Sequence, residues 1–351
     1  MKLSVAVVQG GASTEAEVSR ASAKGVAAAL EEAGHRVVRL ELDVFLSESL
    51  RTGGYDVVFP AVHGALGEDG SLQGLLEVLG MPYVGSGVLA SALAMDKRVA
   101  RILFQRAGLP VAKGLAVTRS EGDSRTAAER ARREVGARLV VKPSSHGSAI
   151  GVTRLEAAAP LDDVAKAIDA VWTIDDVALV EHFARGREMT CGVLQMEGDG
   201  APVALPPTEI LSPKDPFYTY EARYAPGRSV HVCPAELPRA AFARVQEVAL
   251  GAFRAVGGRD LARVDLIVGD TPEETRQETG EGDARSGREE PQTDVVTLLE
   301  VNTLPGMTAT SLFPEAAAVH GLPMPRWCDA LVVRAHARGP TRRLPPLPLP
   351  L

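Results

Sequence analysis

The first eighty residues constrain the fold more tightly than any other stretch of the chain. Leu3–Val8 is an apolar run that breaks at Gly10-Gly11. Behind it Val18, Ala21, Val26, Ala29, Leu30 and Ala33 recur near a 3.6-residue period, and Gly34 stops the pattern. Val37–Leu42 and Asp56–Ala61 read as further short strands, and Ser71–Leu79 as a short helix closed by Gly80. Strands alternating with helices bury their apolar faces as a parallel sheet with helices packed on it. Residues 1–88 are therefore expected to form a small α/β unit.

The remainder is less regular. The full chain has 351 residues, 45% of them hydrophobic, enough for two or three domains at roughly 100–200 residues each. Val88–Ala107 reads as one longer amphipathic helix, ended by Gly108 with Pro110 just beyond. Leu139–Val141, Ile150–Leu155 and Val177–Val180 are short apolar strands, with helices near 124–135 and 161–172. Strands follow near 189–196, 203–210, 261–268 and 295–301, with a helix at 241–256, an α+β pattern. Residues 271–293 hold seven acids, three bases and no aliphatic or aromatic residue larger than Ala284. Such a stretch cannot offset its ordering entropy by burial, so a disordered hairpin insertion is expected there. Pro345–Leu351 reads as an extended Pro-rich tail.

Composition excludes several classes. A net charge of −7 argues against nucleic-acid binding, which needs a basic surface to neutralise phosphates. No apolar run approaches the ~18 residues of a membrane span, and the opening run is too short for a signal-peptide core. Cys191, Cys233 and Cys328 are few and far apart, which argues against a disulfide framework or a zinc site. The expectation is a soluble cytoplasmic protein. Gly85-Ser86-Gly87-Val88-Leu89-Ala90 matches the outline of a dinucleotide fingerprint, but it lacks the acid about 20 residues on and opens the second unit rather than the first.

The strongest chemical signal is a pair of short patterns, Arg263-x-Asp265 on one strand and Glu300-x-Asn302 on the next. Side chains at i and i+2 share a strand face. If the two strands pair around the acidic insert, all four can point the same way. Two carboxylates and an amide oxygen suit Mg²⁺ beside nucleotide phosphates, and an arginine among them can meet an oxyanion. The alternative is a surface face of alternating charge. Lys142-Pro143-Ser144-Ser145-His146-Gly147-Ser148-Ala149-Ile150-Gly151 ends a strand in a lysine and a Gly/Ser loop, suited to cradling phosphate; a plain hairpin loop would look the same. Three of the five tyrosines fall in Tyr218–Tyr224 among prolines, either as a lid that excludes water or as a self-packed Ω-loop. Glu15 opens the first helix, either as ordinary dipole complementarity or as a carboxylate facing a ligand at the carboxyl end of the sheet. His63-Gly64 and Glu68-Asp69-Gly70 sit at that same end.

Together these residues resemble the D-alanine–D-alanine ligases of the ATP-grasp superfamily, collinearly from about residue 1 to 335. His63-Gly64 with Gly67-Glu68-Asp69-Gly70-Ser71-Leu72-Gln73-Gly74 looks like one family signature, and Leu298–Thr308 (LLEVNTLPGMT) like the other. The resemblance implies a three-domain ATP-grasp fold of mixed α/β and α+β class with a Rossmann-like parallel-sheet domain at the N-terminus. Its bounds would be 1–88, a central lobe 89–184, a C-terminal lobe 185–336 carrying the insert 271–293, and a tail 337–351. It implies that Lys97, Lys142, Glu181, His182, Phe183, Glu188 and Arg223 bind ATP. Asp265, Glu300 and Asn302 would bind two Mg²⁺, with Mn²⁺ as a substitute and a monovalent cation as a companion. Glu15, His63 and Val18 would hold the first D-alanine, with Ser148 and Tyr224 linking to Glu15 on closure. Ser311 and Leu312 would receive the second substrate, while Arg263 and Gly306 stabilise the oxyanion. A homodimer making dipeptide for peptidoglycan is implied, with no nucleic-acid or membrane partner. D-lactate or D-serine ligation, a different carboxylate–amine ligase and a non-enzymatic ATP-binding module stay open, and Tyr224 favours the dipeptide. The chain departs from the family at Arg223, where lysine is usual, at Ala149 beside Ser148, at Ala16, and in the insert.

Overall fold

The computed structural model describes residues 1–196, 200–212, 228–269, 295–308 and 310–340. The insert, the tyrosine-rich segment with Arg223 and Tyr224, and most of the Pro-rich tail lie outside them.

The opening alternation gives a parallel three-stranded sheet of β1 (Ser4–Gln9), β2 (Arg36–Glu41) and β3 (Val57–Pro60), ordered β2-β1-β3. Period-two alternation splits its side chains between two cores. Val5 and Val7 face α1 (Ala16–Glu32) and a C-terminal helix, Met324–Arg338, through Trp327, Leu331 and Val332. Ala6 and Val8 face α2 (Leu46–Thr52) and α3 (Ser71–Val78) through Leu46, Leu50, Leu72 and Leu76. One face of the first sheet is thus covered by the far end of the chain.

The expected single helix over Val88–Ala107 is two helices, α4 (Val88–Met95) and α5 (Lys97–Arg106). Asp96 breaks the run with extended backbone (φ −80°, ψ 97°) and accepts from Val99 N, so it caps α5. Ser144 Oγ also donates to Asp96 Oδ1 at 2.7 Å. Periodicity runs straight through this point because the tie that breaks the helix comes from 48 residues away.

A second sheet is antiparallel, ordered β4-β7-β5-β6: β4 (Gly114–Thr118), β5 (Leu139–Pro143), β6 (Thr153–Leu155) and β7 (Val177–His182). Helices α6 (Ser124–Glu134) and α7 (Leu161–Val171) bury its other face. The strand expected from Ile150 begins only at Thr153, because Ser148, Ala149 and Gly151 take left-handed φ of 52°, 57° and 71°. The third sheet runs β11-β10-β8-β12-β13 with β9 paired to β8. Its strands are β8 (Arg187–Leu194), β9 (Val203–Ala204), β10 (Thr208–Leu211), β11 (Val230–Val232), β12 (Leu261–Gly269) and β13 (Val295–Asn302). Pro206-Pro207 splits the strand expected at 203–210, since proline cannot donate to a ladder. Helix α8 (Arg239–Ala255) packs beneath this sheet; α9 (Leu312–Val319) and α10 (Met324–Arg338) complete the chain.

The glycine pattern that imitates a dinucleotide fingerprint is held by a buried acid. Asp260, fully buried, accepts from Gly85 N at 2.8 Å and pairs with Arg338 at 3.0 Å and Arg334 at 3.4 Å. Arg259 Nε donates to Gly85 O at 2.7 Å. This loop locks β12 and α10 to the first sheet. Helix α10 continues through Arg338, into the segment read as tail.

Candidate active site

The two chemical strands pair as the sequence pattern requires. Arg263 lies opposite Asn302 and Asp265 opposite Glu300, while Leu266 lies opposite Leu298. Leu299 is thus an extra residue, a bulge that shifts side-chain parity. It lets Leu298 stay buried beside Leu266 while Glu300 keeps to the polar face with Asp265. Asp265 accepts from Arg263 Nε (2.9 Å) and Nη2 (2.8 Å) and from Thr190 Oγ1 (2.8 Å) on β8. Lys97 Nζ lies 3.1 Å from Glu300 Oε2 and donates to His146 O at 2.6 Å. Asn302 Oδ1 accepts from Leu304 N at 3.0 Å.

This donor set suits a hard divalent cation. The fold holds two carboxylates side by side, each already neutralised by a cationic side chain. Among the described residues no group of three His, Cys, Asp or Glu side chains could hold a metal alone. Mg²⁺ matches that sparseness, because it binds through one or two carboxylates and fills its shell with phosphate oxygens and water.

Between the second and third sheets lies a cavity of about 140 Å³, lined by Lys97, Lys142, His182, Phe183, Ala184 and Glu188, with Asp265 and Glu300 at its polar end. Lys142 and Glu181 share a face on neighbouring strands, because Val140 pairs with Glu181 and Lys142 lies two residues on. Glu181 Oε2 meets Lys142 Nζ at 2.6 Å, and its Oε1 meets Arg101 Nη1 at 2.8 Å. Burial pushes the Glu181 carboxyl up, but Lys142 and Arg101 outweigh it and hold the group below the usual carboxylate range. Glu188 pairs with Arg154 at 2.7 Å, and the Arg154 guanidinium lies 4.9 Å from the centre of the Phe183 ring.

A second cavity of about 480 Å³ adjoins the first, with Lys97 and Glu300 lining both. It brings together Glu15, Val18, His63, Ser148, Arg263, Gly306, Ser311 and Leu312, residues drawn from the whole length of the chain. Glu15 is buried at the first turn of α1, and Ser148 Oγ donates to its Oε1 at 2.5 Å. The Gly/Ser loop thereby reaches across to the first sheet. Its two consecutive non-glycine residues with left-handed φ are the sort of strain that collects at functional sites. Gly306 must lack a side chain, because a Cβ there would lie 2.9 Å from Ser311 Oγ. That hydroxyl accepts from Thr308 N at 3.0 Å. Ser311 precedes α9, whose N-terminal N–H groups favour an anion.

Several groups escape the sequence reading. Glu68 lines the larger cavity with its Oε1 3.4 Å from His63 Nδ1. Burial pushes the Glu68 carboxyl up; His63 offsets part of the rise, and the charge of Glu15 adds to it. Ser22 Oγ accepts from Met307 N at 3.1 Å and lies 3.0 Å from His63 Nε2. Ser22 and Glu68 thus contact the two ring nitrogens of His63 and fix the orientation of the imidazole. His231, on β11, also lines the cavity and pairs with Glu315 at 2.8 Å. Only the glycine-flanked Glu68 carried a local signal; Ser22, Arg101 and His231 are brought to these contacts by residues remote in sequence.

Comparison with known proteins agrees with this geometry. The family model for the D-ala D-ala ligase N-terminus matches residues 44–86, and that for the C-terminus matches 103–278 and 280–333. The D-alanine–D-alanine ligase of Desulforudis audaxviator is 42% identical over 95% of this chain and 99% of its own length. The Bacillus anthracis D-alanine–D-alanine ligase, solved in complex with ATP, superposes with a TM-score of 0.75 at 26% identity, over 95% of this chain and 97% of that one. The Vibrio cholerae D-alanyl-alanine synthetase A superposes at 0.78 and 25% identity, over 96% of this chain and 99% of that one. By sequence, by fold and by the residues gathered at its paired cavities, this chain belongs to the D-alanine–D-alanine ligase family.

Proposed function

We propose that this protein joins two D-alanines into D-alanyl-D-alanine at the expense of ATP, releasing ADP and phosphate. The observation that carries the reading is the adjacent pair of cavities, one lined by the lysines and Glu188, the other by Glu15, Arg263 and Ser311, with Lys97 and Glu300 common to both. A phosphoryl group seated there borders both compartments.

In this reading ATP occupies the smaller cavity, its phosphates against Lys97 and Lys142 and its ribose near Glu188. The first D-alanine places its ammonium on Glu15, and His63, oriented by Ser22 and Glu68, fixes its orientation. Its carboxylate attacks the γ-phosphate and forms an acyl phosphate while ADP departs. Mg²⁺ bound by Asp265, Glu300 and Asn302 would supply positive charge to the phosphate oxygens. The second D-alanine sets its carboxylate at Ser311 and Leu312, at the start of α9, and its amine attacks the acyl carbon. Arg263 and the Gly306 N–H are placed to receive the oxyanion before phosphate leaves. Arg223 and Tyr224, which the resemblance adds to this scheme, lie outside the described residues. With the scheme come the three-domain division and a cytoplasmic homodimer serving peptidoglycan synthesis. Among the described residues no helix is long and apolar enough to cross a membrane.

Phosphate release from MgATP in the presence of D-alanine, L-alanine or a D-alanine/D-lactate mixture tests the reading, with products identified by mass. Release with D-alanine and the dipeptide mass is expected, with L-alanine inert. A depsipeptide mass from the mixture would reassign the second substrate. Silence in every arm would sink the ligase reading.

A further inference from the structure

Helix α5 presents two cations one turn apart. Lys97 and Arg101 stand at i and i+4 and so share a face; Lys97 meets Glu300, and Arg101 meets Glu181. Lys97 has an evident task at the phosphates. Arg101 lines neither cavity, yet it is as buried as the residues that do. Its position is built by contacts from three segments. Asp96 caps α5 at the start and fixes the direction of the helix. Gly114 on β4 lies opposite Glu181, where a Cβ would come within 2.7 Å of Val180 O and 2.8 Å of Glu181 Cγ, so glycine lets the two strands approach this closely. Arg101 Nη2 then donates to Gly114 O at 3.4 Å, while Nη1 holds Glu181 Oε1 at 2.8 Å.

The pairing poses a charge problem. Lys142 is the lysine that ends β5 at the nucleotide cavity, yet its ammonium sits on Glu181 at 2.6 Å. To commit its charge to a phosphate it must loosen its hold on that carboxylate. Removing one partner from a buried ion pair strands the other charge, a cost large enough to keep the lysine where it is. Arg101 changes this balance. It holds the other oxygen of the same carboxylate, cannot lose its proton, and sits outside the cavity where no ligand competes for it.

We propose that Arg101 is a positioning residue for nucleotide binding: by keeping the buried Glu181 carboxylate neutralised, it frees Lys142 to transfer from Glu181 to the phosphates. Two cations share one anion, so one positive charge remains to be given to the ligand. The proposal deepens the ligase reading and rests on its assignment of the smaller cavity to ATP.

The test is calorimetric titration of the full-length protein with the β,γ-imido analogue of ATP and Mg²⁺. It would compare the natural chain with Arg101→Met, Arg101→Lys, Glu181→Gln and the double variant Arg101→Met/Glu181→Gln, each checked by thermal melting. Arg101→Met is expected to weaken analogue binding at least ~10-fold, equivalent to about 1.4 kcal/mol, and to raise KM for ATP while leaving KM for D-alanine within about twofold. Arg101→Lys, which keeps the charge, should recover most of the loss. Because Glu181 itself lines the nucleotide cavity, Glu181→Gln alone is the reference for the double variant. Arg101→Met should cost little in that background, where the carboxylate that traps Lys142 is gone, and a loss there as large as in the natural chain overturns the proposal. Natural chain that binds the analogue alongside a folded, equally tight Arg101→Met would also overturn it while leaving the ATP reading intact. Failure of the natural chain itself to bind would overturn both.

Discussion

Arg263→Ala is expected to lower kcat by ~10²–10³-fold, the effect typical of losing a donor to a developing oxyanion, while ATP binding persists within about threefold. The asymmetry follows from where the guanidinium lies. Arg263 borders the larger cavity and is absent from the walls of the smaller one. Its bonds to Asp265 at 2.9 and 2.8 Å aim it across the face shared with Glu300 and Asn302. Once it is removed, Asp265 still accepts from Thr190 at 2.8 Å, so the carboxylate at the nucleotide side stays anchored. Steady-state kinetics paired with analogue binding separates the two effects. Near-normal kcat in a folded Arg263→Ala would show that the oxyanion is stabilised elsewhere.

Glu15→Gln is expected to act on the amino-acid substrate instead, raising KM for the first D-alanine by ~10²-fold or more, in line with the 2–5 kcal/mol typical when one member of a buried charge pair is lost. Glutamine keeps the shape and can still accept from Ser148 Oγ, which reaches Glu15 at 2.5 Å. The change therefore removes charge with little disturbance to the loop. What remains near the substrate ammonium is Glu68, whose carboxyl burial pushes up and which already faces His63, so it is a poor substitute. Comparison with Ser148→Ala, which keeps the charge and loses only the link, isolates the electrostatic part. A Glu15→Gln protein with unaltered D-alanine dependence would remove Glu15 from the amine site.

How much of this was legible in the sequence varied with the range of the interaction involved. The parallel sheet was legible because apolar periodicity is local, and the β12–β13 pairing because two i, i+2 patterns flank one insert. The bulge at Leu299 was not legible, since it resolves a conflict of parity that exists only after the strands pair. Helix α5 looked continuous with α4 for a similar reason: Asp96 is one polar residue in an apolar period until Ser144 arrives from the phosphate loop. Strand β4 escaped because its Gly114 is a poor strand former, required by the close approach of the Val180–Glu181 segment opposite. Among the site residues, Arg263 and Glu300 stand in paired i, i+2 patterns and His63 beside a glycine after a strand, whereas Glu15 has an ordinary helix-start reading beside its functional one and Ser311 follows only from the family resemblance. Arg101 stood inside an ordinary amphipathic helix, and nothing near it in sequence announces Glu181, 80 residues away.

The central claim is that the carboxylate of one D-alanine is activated by the γ-phosphate of ATP before a second D-alanine attacks it. Isotope transfer tests it most directly. D-alanine carrying ¹⁸O in its carboxylate is incubated with the protein and MgATP, and the products are resolved by mass. The account predicts one ¹⁸O in each inorganic phosphate released, matched by one ¹⁸O lost from each dipeptide formed. Dipeptide formed while the released phosphate carries no label, the lost ¹⁸O appearing in water or another product instead, would contradict it.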